Sequence, residues 1–266
     1  MVKQKLKVAV IGANGFTGSA LVEALNMRTD VEVLKLARPE FDLAFVDTCE
    51  LPVAVDCLVI ASGITEGAIE YLNLINAVGP ARLVERLRNR GLCKVIYLSS
   101  GAVYGGVSTR THIDTFTTPT SSYGASKLYG EQCIKHAAKG IDFSCLRLYF
   151  PYGPGQKVPR LIPRLVDNVK QGRPIACRED GGPYLSLTHI DDLMEILVEY
   201  FIFNNNTGVF NIASNQIISI KQIAQTIASH LNLSGNFVQT SNAIDCISQS
   251  FAGKSSWKWF SFDDLG

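Results

Sequence analysis

The sequence predicts an α/β protein built around a parallel sheet. Short runs rich in β-branched and other apolar residues occupy 6–11, 31–36, 57–61 and 94–98, and segments of helical length lie between them. Strands of a parallel sheet are buried on both faces, so they show continuous hydrophobic runs instead of alternation. The repeated order of strand, helix and strand requires crossover connections, which place helices on both faces of the sheet.

The remaining elements follow from periodicity and from turn residues. Helices are predicted over residues 19–26, 69–90 and 126–138, and a further strand over 143–149. A passage rich in proline and glycine follows from Pro151, which predicts loops where binding residues are often carried. Asp191 is predicted to cap a helix over 192–201, before a strand at 209–213 and a helix at 220–231.

Composition favours a small-molecule partner. The chain of 266 residues is 47% hydrophobic and has a formal net charge of +1, with no long run of one sign to bind nucleic acid or a membrane surface. Only four apolar residues follow the basic start before Gly12, and no later run reaches membrane-spanning length, so a cytoplasmic location is expected. The seven cysteines lack a C-x-x-C spacing and the four histidines are scattered, so no metal site is expected.

A glycine-rich turn follows the first predicted strand. Gly12, Asn14, Gly15, Phe16, Thr17 and Gly18 stand between that strand and a helix. Glycines permit a tight turn and close approach of the backbone, so a pyrophosphate can lie against the N–H groups of the helix start. The alternative is a purely structural turn, but the flanking strand and helix favour dinucleotide binding.

Tyr123 and Lys127 form the first candidate catalytic pair. Residues four apart on a helix lie on one face, and an adjacent ammonium favours the phenolate of a tyrosine whose ordinary pKa is about 10. Ser100 follows the strand at 94–98 and would face the ligand crevice at the carboxyl end of the sheet, beside Tyr123. The alternatives are an ordinary amphipathic pair and a turn-forming serine.

Together these pieces resemble the extended short-chain dehydrogenase/reductases, the NAD-dependent epimerase/dehydratase family of sugar-nucleotide enzymes. Gly130-Glu131, Arg147, Pro151-Tyr152-Gly153-Pro154 and His189-Ile190-Asp191-Asp192 are further points of likeness. The resemblance implies a Rossmann-type, doubly wound parallel sheet with a small, discontinuous C-terminal substrate domain. The implied cofactor domain covers residues 1–149 and 188–216, and the implied substrate domain covers 150–187 and 217–266.

The resemblance also implies a cofactor site that binds NAD or NADP. Besides the glycine motif, it would use Arg38, Asp42, Leu43, Ala61, Ser62, Gly63, Ser99, Tyr123, Lys127 and Pro151. Family members that use NAD end their second strand with an acidic residue, whereas this chain has Ala37-Arg38 there. A guanidinium suits the 2′-phosphate of NADP, so Arg38 favours NADP, although a solvated surface arginine is an equally common reading.

Departures from the family pattern narrow the reaction. Gly101-Ala102 replaces the Asp-Glu pair that follows the catalytic hydroxyl residue in sugar dehydratases. Since elimination of water needs its own acid and base, this replacement argues against dehydration. Phe150 and Leu185 stand where 4-epimerases hold the nucleotide diphosphate with Asn and Arg. Arg160 and Arg178 are candidate replacements, and Ser100, Tyr104 and Phe150 complete the predicted substrate contacts.

The sequence therefore predicts an NAD(P)-dependent epimerase that acts at a carbinol or keto carbon of a nucleotide-activated sugar. Ser100 would orient the oxygen, Tyr123 would exchange the proton and Lys127 would tune Tyr123 and hold the cofactor. The alternative is an NADPH-dependent reductase of 4-keto sugars similar to the dTDP-4-dehydrorhamnose reductases. A non-catalytic dinucleotide sensor or scaffold is a third hypothesis, and a homodimer is an expectation from the family.

Overall fold

The computed structural model describes residues 4–106, 110–157, 160–241, 243–249, 251 and 258. The chain forms two compact units. The first comprises Met1–Gly105, Phe116–Arg147 and Met194–Phe210, and the second comprises Gly106–Thr115, Leu148–Leu193 and Asn211–Gly266. Which of the predicted domains binds the cofactor and which binds the substrate stays a prediction.

A six-stranded sheet is the centre of the fold. Its strands are β1 (Leu6–Ile11), β2 (Val31–Leu36), β3 (Cys57–Ile60), β4 (Lys94–Ser100), β5 (Asp142–Leu148) and β10 (Gly208–Ile212). They lie in the order β10-β5-β4-β3-β1-β2, and the pairs β1–β2, β1–β3 and β3–β4 are parallel. Strand β3 is buried along its whole length, as the continuous apolar run predicts.

Helices connect these strands. They are α1 (Phe16–Asn26), α2 (Ile69–Asn73), α3 (Gly79–Leu87) and α4 (Ser122–Ala137), with a π-helical segment, Leu74–Val78, between α2 and α3. Short 3₁₀ turns lie at Leu43–Phe45, Arg88–Arg90 and Gly101–Tyr104. One buried cluster beneath these helices contains Ile60, Leu83 and Tyr97, so strands and helices share a single hydrophobic core here.

The second unit has its own core and small two-stranded pairings. Its elements are β6 (Pro151–Tyr152), α5 (Leu161–Lys170), β7 (Ile175–Cys177), β8 (Tyr184–Ser186), β9 (Thr188–His189), α6 (Ile190–Glu195), β11 (Ile217–Ser219), α7 (Ile220–His230) and β12 (Phe237–Gln239). Along the chain, α6 crosses from the second unit into the first after Leu193, and the π-helical segment that continues it, Ile196–Ile202, belongs to the first unit. The core packs α5 against α7 through Leu165 and Ile223, among others. Ser219 and Gln222 form a reciprocal capping box that fixes the start of α7.

The observed fold confirms the predicted Rossmann-type α/β class and corrects several boundaries. Helix α4 begins at Ser122, four residues earlier than predicted, because the Ser121 hydroxyl accepts a hydrogen bond from Gly124 N–H and caps the helix. Helix α6 begins at Ile190, so Asp191 lies inside its first turn and the prediction that Asp191 is the cap is wrong. None of the helices among the described residues has the length and apolarity to cross a membrane.

Candidate active site

The strand order fixes where a ligand can bind in the first unit. From β1 the chain passes to β2 on one side of β1, and then returns to β3 on the other side. Open α/β sheets bind ligands outside the carboxyl ends of the strands at such a reversal, because the connecting segments diverge there and leave a crevice. The site is therefore expected beside the ends of β1 and β3.

A cavity of about 390 Å³ lies at this point. The predicted cofactor residues that line it are Gly12, Asn14, Gly15, Arg38, Asp42, Leu43, Ala61, Ser62 and Gly63. Ile11, Ala37, Phe41, Ile64, Tyr71 and Ile75 complete the wall. Segments that are distant in sequence thus meet in one apolar cavity with a few polar groups, as small-molecule sites typically do.

The glycine motif allows segments of the backbone to approach closely at the cavity. Gly12 has a positive φ of 84°, and a Cβ atom on it would lie 2.7 Å from the Ser62 backbone. A Cβ atom on Gly18 would collide with the carbonyl oxygen of Gly12. Any side chain at these positions would push apart β1, α1 and the segment after β3, so the glycines are required by the geometry of the turn.

Two features of the cavity fit the pyrophosphate and ribose of a dinucleotide. Helix α1 starts at Phe16 with Gly15 as its N-cap, and no side chain caps it, so Phe16, Thr17 and Gly18 offer backbone N–H groups in its first turn. Ser62 Oγ is buried and has no hydrogen-bond partner among the described residues. A buried hydroxyl without a partner costs free energy, which a ligand oxygen would recover.

Helix α4 carries Tyr123 in its first turn and Lys127 one turn later, on the same face. Gly124 allows this turn to approach the segment after Ser100, since a Cβ atom on Gly124 would lie 2.5 Å from the Ala102 carbonyl oxygen. A Cβ atom on Gly63 would lie 3.7 Å from Nζ of Lys127. The structure thus brings α4 against both the Ser100 segment and the cofactor cavity.

Lys127 is only 2% exposed, and its surroundings oppose its charge. Burial lowers the pKa of this lysine from 10.5 to about 7, and the nearby Cys145 and Glu131 only partly offset the effect. Within the described part of the chain, no carboxylate lies within ion-pair distance of Nζ. The charge of Lys127 therefore changes near neutral pH, where it can influence Tyr123.

A buried polar network surrounds Ser99 and Tyr104. Ser99 donates a hydrogen bond to Oε1 of Glu131 (2.6 Å), and Arg147 donates to both carboxylate oxygens of Glu131 (2.9 and 2.7 Å). Arg147 also donates to the Tyr104 hydroxyl at 2.7 Å. Ser100 Oγ accepts from Ala102 N–H at 3.2 Å and starts the 3₁₀ turn. Ser99 and Tyr104 thus support the site from within the core, and their contacts with ligands stay predictions.

The second unit contains the other predicted residues. Phe150 has a positive φ of 39° and packs against the second core, while Pro151 begins β6 and pairs with Thr188. Arg160 is exposed at the start of α5. Arg178 forms ion pairs with Asp180 (3.0 Å) and Asp245 (2.8 Å). The guanidinium of Arg178 therefore already has carboxylate partners, and its predicted substrate contact is untested.

Asn76 is an important residue that the sequence reasoning missed. It is fully buried in the π-helical segment, and its side-chain amide exchanges two hydrogen bonds of 2.9 Å with the backbone of Ile64. The same amide donates to Ser126 Oγ at 2.9 Å. Asn76 thus ties the segment after β3 to α4. An amide inside the otherwise apolar run Leu74–Val78 was the available signal.

Comparisons with known proteins agree with this geometry. Residues 8–213 match the model of the NAD dependent epimerase/dehydratase family. The chain is 30% identical over 154 residues to a UDP-glucuronate 4-epimerase of Thermodesulfobacterium geofontis, covering 54% of this chain and 48% of the relative. It is 29% identical over 154 residues to a dTDP-4-dehydro-6-deoxyglucose reductase of Escherichia coli, covering 56% and 49%. The chain thus spans about half the length of these curated relatives.

A solved structure shows the same fold over nearly the whole chain. It is the UDP-glucuronic acid 4-epimerase from Bacillus cereus, in a variant complexed with NAD and UDP-4-deoxy-4-fluoro-glucuronic acid. The TM-score is 0.82 at 23% identity, and the likeness covers 98% of this chain and 96% of the other. The family match extends from the third residue of β1 to the residue after β10 and includes both the glycine motif and the Tyr123/Lys127 pair. This chain belongs to the NAD-dependent epimerase/dehydratase family.

Proposed function

We propose that this protein is an NAD(P)-dependent epimerase that acts at a carbinol or keto carbon of a nucleotide-activated sugar. The proposal depends on one observation: helix α4 packs against both the Ser100 segment and the cavity wall at Gly63. Gly124 brings the Tyr123 turn against the Ser100 segment, and Lys127 lies beside Gly63 in the wall of the dinucleotide cavity. A proton-transfer group and a cofactor site are thereby adjacent, as hydride chemistry at a carbinol carbon requires.

The protein side chains supply proton transfer and orientation. Ser100 holds the substrate oxygen, and Tyr123 takes its proton as the carbon is oxidised and returns a proton when the other face is reduced. Protonated Lys127 favours the phenolate of Tyr123 by its charge. Gly12, Gly15, Ser62 and the start of α1 would hold the dinucleotide, whose nicotinamide supplies hydride acceptance and donation when bound.

The relatives support a nucleotide sugar as the substrate class, since they are named for UDP- and dTDP-sugars. Arg160 and Arg178 are the proposed diphosphate contacts in the second unit. The expected partner is a small molecule, and a homodimer is proposed from the family resemblance and would be measured by analytical ultracentrifugation.

A second candidate is an NADPH-dependent reductase of 4-keto sugars. Arg38 lies in the cavity wall after β2, where a guanidinium suits a 2′-phosphate, and this placement favours NADP over NAD. An epimerase regenerates its cofactor in each turnover, whereas a reductase consumes NADPH. Incubation with UDP-glucuronic acid and, separately, with dTDP-4-dehydrorhamnose and NADPH distinguishes them. Formation of a 4-epimer without a net change in NAD(P)H supports the epimerase. Stoichiometric oxidation of NADPH with dTDP-4-dehydrorhamnose would refute the epimerase proposal and support the reductase.

The role of Tyr123 is tested by Tyr123→Phe. Loss of the transferred proton is expected to lower kcat by roughly 10²–10⁴-fold with dinucleotide binding retained. The matched control is Tyr129→Phe, because Tyr129 is on the same helix and is half exposed. Full activity of Tyr123→Phe on every substrate would refute the proposed role of Tyr123. A parent protein that binds the dinucleotide but turns over neither substrate would instead support the non-catalytic sensor.

A further inference from the structure

The aromatic ring beneath Lys127 has no assigned role. Tyr97 lies on β4, three residues before Ser100, and is fully buried. Nζ of Lys127 lies 4.2 Å from the centroid of its ring. We propose that Tyr97 is a positioning residue whose ring binds the Lys127 ammonium by a cation–π contact and holds it beside Gly63 at the cofactor cavity.

The Tyr97 ring lies against the Lys127 ammonium, and the nearby acidic groups offset only part of the effect of burial on that charge. Cys145 on β5 and Glu131 on α4 act on the charge of Lys127, and the same two groups together with Tyr123 and Cys133 on α4 act on Tyr97. Arg147 already binds both oxygens of Glu131 and neutralises that carboxylate. A buried ammonium without a carboxylate loses most of its hydration, and the negative face of an aromatic ring replaces part of it.

The position of the Tyr97 ring is fixed by a second contact. Its hydroxyl donates a hydrogen bond of 2.9 Å to the backbone carbonyl of Asn76. Burial raises the pKa of Tyr97 well above 10, so this hydroxyl stays protonated and remains a donor. The same Asn76 binds Ile64 through its amide, which links the ring to the segment that follows β3.

Gly130 makes room for this contact on α4. A Cβ atom on Gly130 would lie 2.5 Å from the Tyr97 hydroxyl and would also collide with the Asn76 carbonyl oxygen. A glycine in the middle of a 16-residue helix lowers helix stability, so its presence has a packing reason here. It allows Tyr97 to pass beneath the helix and reach Asn76.

The test is the titration of Lys127 in the full chain without added cofactor, by NMR of ¹³C-labelled lysine assigned with Lys127→Met. Phenylalanine and its analogues with increasing numbers of ring fluorines replace Tyr97, since fluorine weakens the negative face of the ring at nearly constant shape. The titration midpoint should fall progressively by about 0.4–1.5 pH units in total, because the charged form loses its partner. A midpoint that is constant along the folded series overturns the proposal.

Two further variants separate the ring from general packing. Tyr97→Leu removes the ring and should also lower the midpoint, whereas Ile96→Ala, a buried change at the neighbouring position of β4, should leave it unchanged. An equal shift in Ile96→Ala would show that the effect is structural and would contradict the assignment. The inference that a positioned Lys127 ammonium favours the Tyr123 phenolate rests on the proposed function. The measured titration midpoint of Lys127 does not. Failure of Tyr123→Phe to lose activity would therefore leave the NMR result standing.

Discussion

Two arginines, one in each unit, make nearly the same contacts in different surroundings. Arg147 binds Glu131 through two nitrogens and lies 4.8 Å from the Tyr104 ring. Arg178 binds Asp180 through two nitrogens and lies 5.7 Å from the Tyr184 ring. The side chains of Arg147 and Glu131 are only 8% and 5% exposed, whereas Arg178 and Asp180 are 23% and 53% exposed.

Geometry alone does not set how much an ion pair contributes to stability. Water screens and competes for the Arg178 cluster, so breaking it exposes charges that are readily hydrated. Burial opposes the charge of Arg147, yet the hydrogen bonds to Glu131 and Tyr104 leave its pKa raised. Each partner of the buried pair therefore depends on the other, and losing one leaves an uncompensated charge in the core.

The largest expected effect comes from Arg147→Met. It leaves the Glu131 carboxylate buried without its partner and should lower the free energy of unfolding by about 3–5 kcal/mol, measured by urea denaturation. The double variant Glu131→Gln/Arg147→Met carries no buried charge at this site and should recover much of the loss. If Arg147→Met were as stable as the parent, water would have to reach Glu131. The buried pair would then contribute no more to stability than the exposed Arg178 cluster.

An intermediate effect is expected from Lys127, a buried cation that has no carboxylate within ion-pair distance among the described residues. Its pKa is about 7 in the folded protein against 10.5 for an ordinary lysine, so above pH 7 the unfolded chain binds more protons than the folded one. Stability should therefore rise with pH relative to Lys127→Met, by about 1.4 kcal/mol per pH unit between about pH 7 and pH 9. The measurement is paired urea denaturation of both proteins, which cancels other titrations. If the difference in unfolding free energy between the two proteins does not change with pH, Lys127 keeps an ordinary pKa.

The smallest effect is expected from Arg178→Met. Its partners are solvated, so the loss of stability should be clearly smaller than for Arg147→Met and should shrink as salt is raised. Arg173→Met, which removes the exposed pair with Asp167, is the matched control. A rise in KM for the nucleotide sugar in Arg178→Met alone would support the predicted substrate contact. An unchanged KM in both variants would leave Arg178 a structural residue.

The local features of the chain were readable before the structure. The predicted strands 6–11 and 31–36 match β1 and β2, because short runs rich in valine, isoleucine and leucine between turn residues favour strands. The glycine motif lies at the end of β1, and nine of the predicted cofactor residues line one cavity. Helix boundaries were less accurate, since caps such as Ser121 act through single hydrogen bonds that periodicity does not show.

The sequence by itself determined the α/β class, the glycine turn and the pairing of Tyr123 with Lys127 on one helical face, since each depends on residues close together in the chain. Only the tertiary structure decided the surroundings of Lys127. Tyr97 and Asn76 come from separate elements and meet where Gly130 leaves room, and Glu131 and Arg147 likewise come from separate elements. Burial and hydrogen bonding between distant segments set the electrostatics of the site, and no local pattern encodes them.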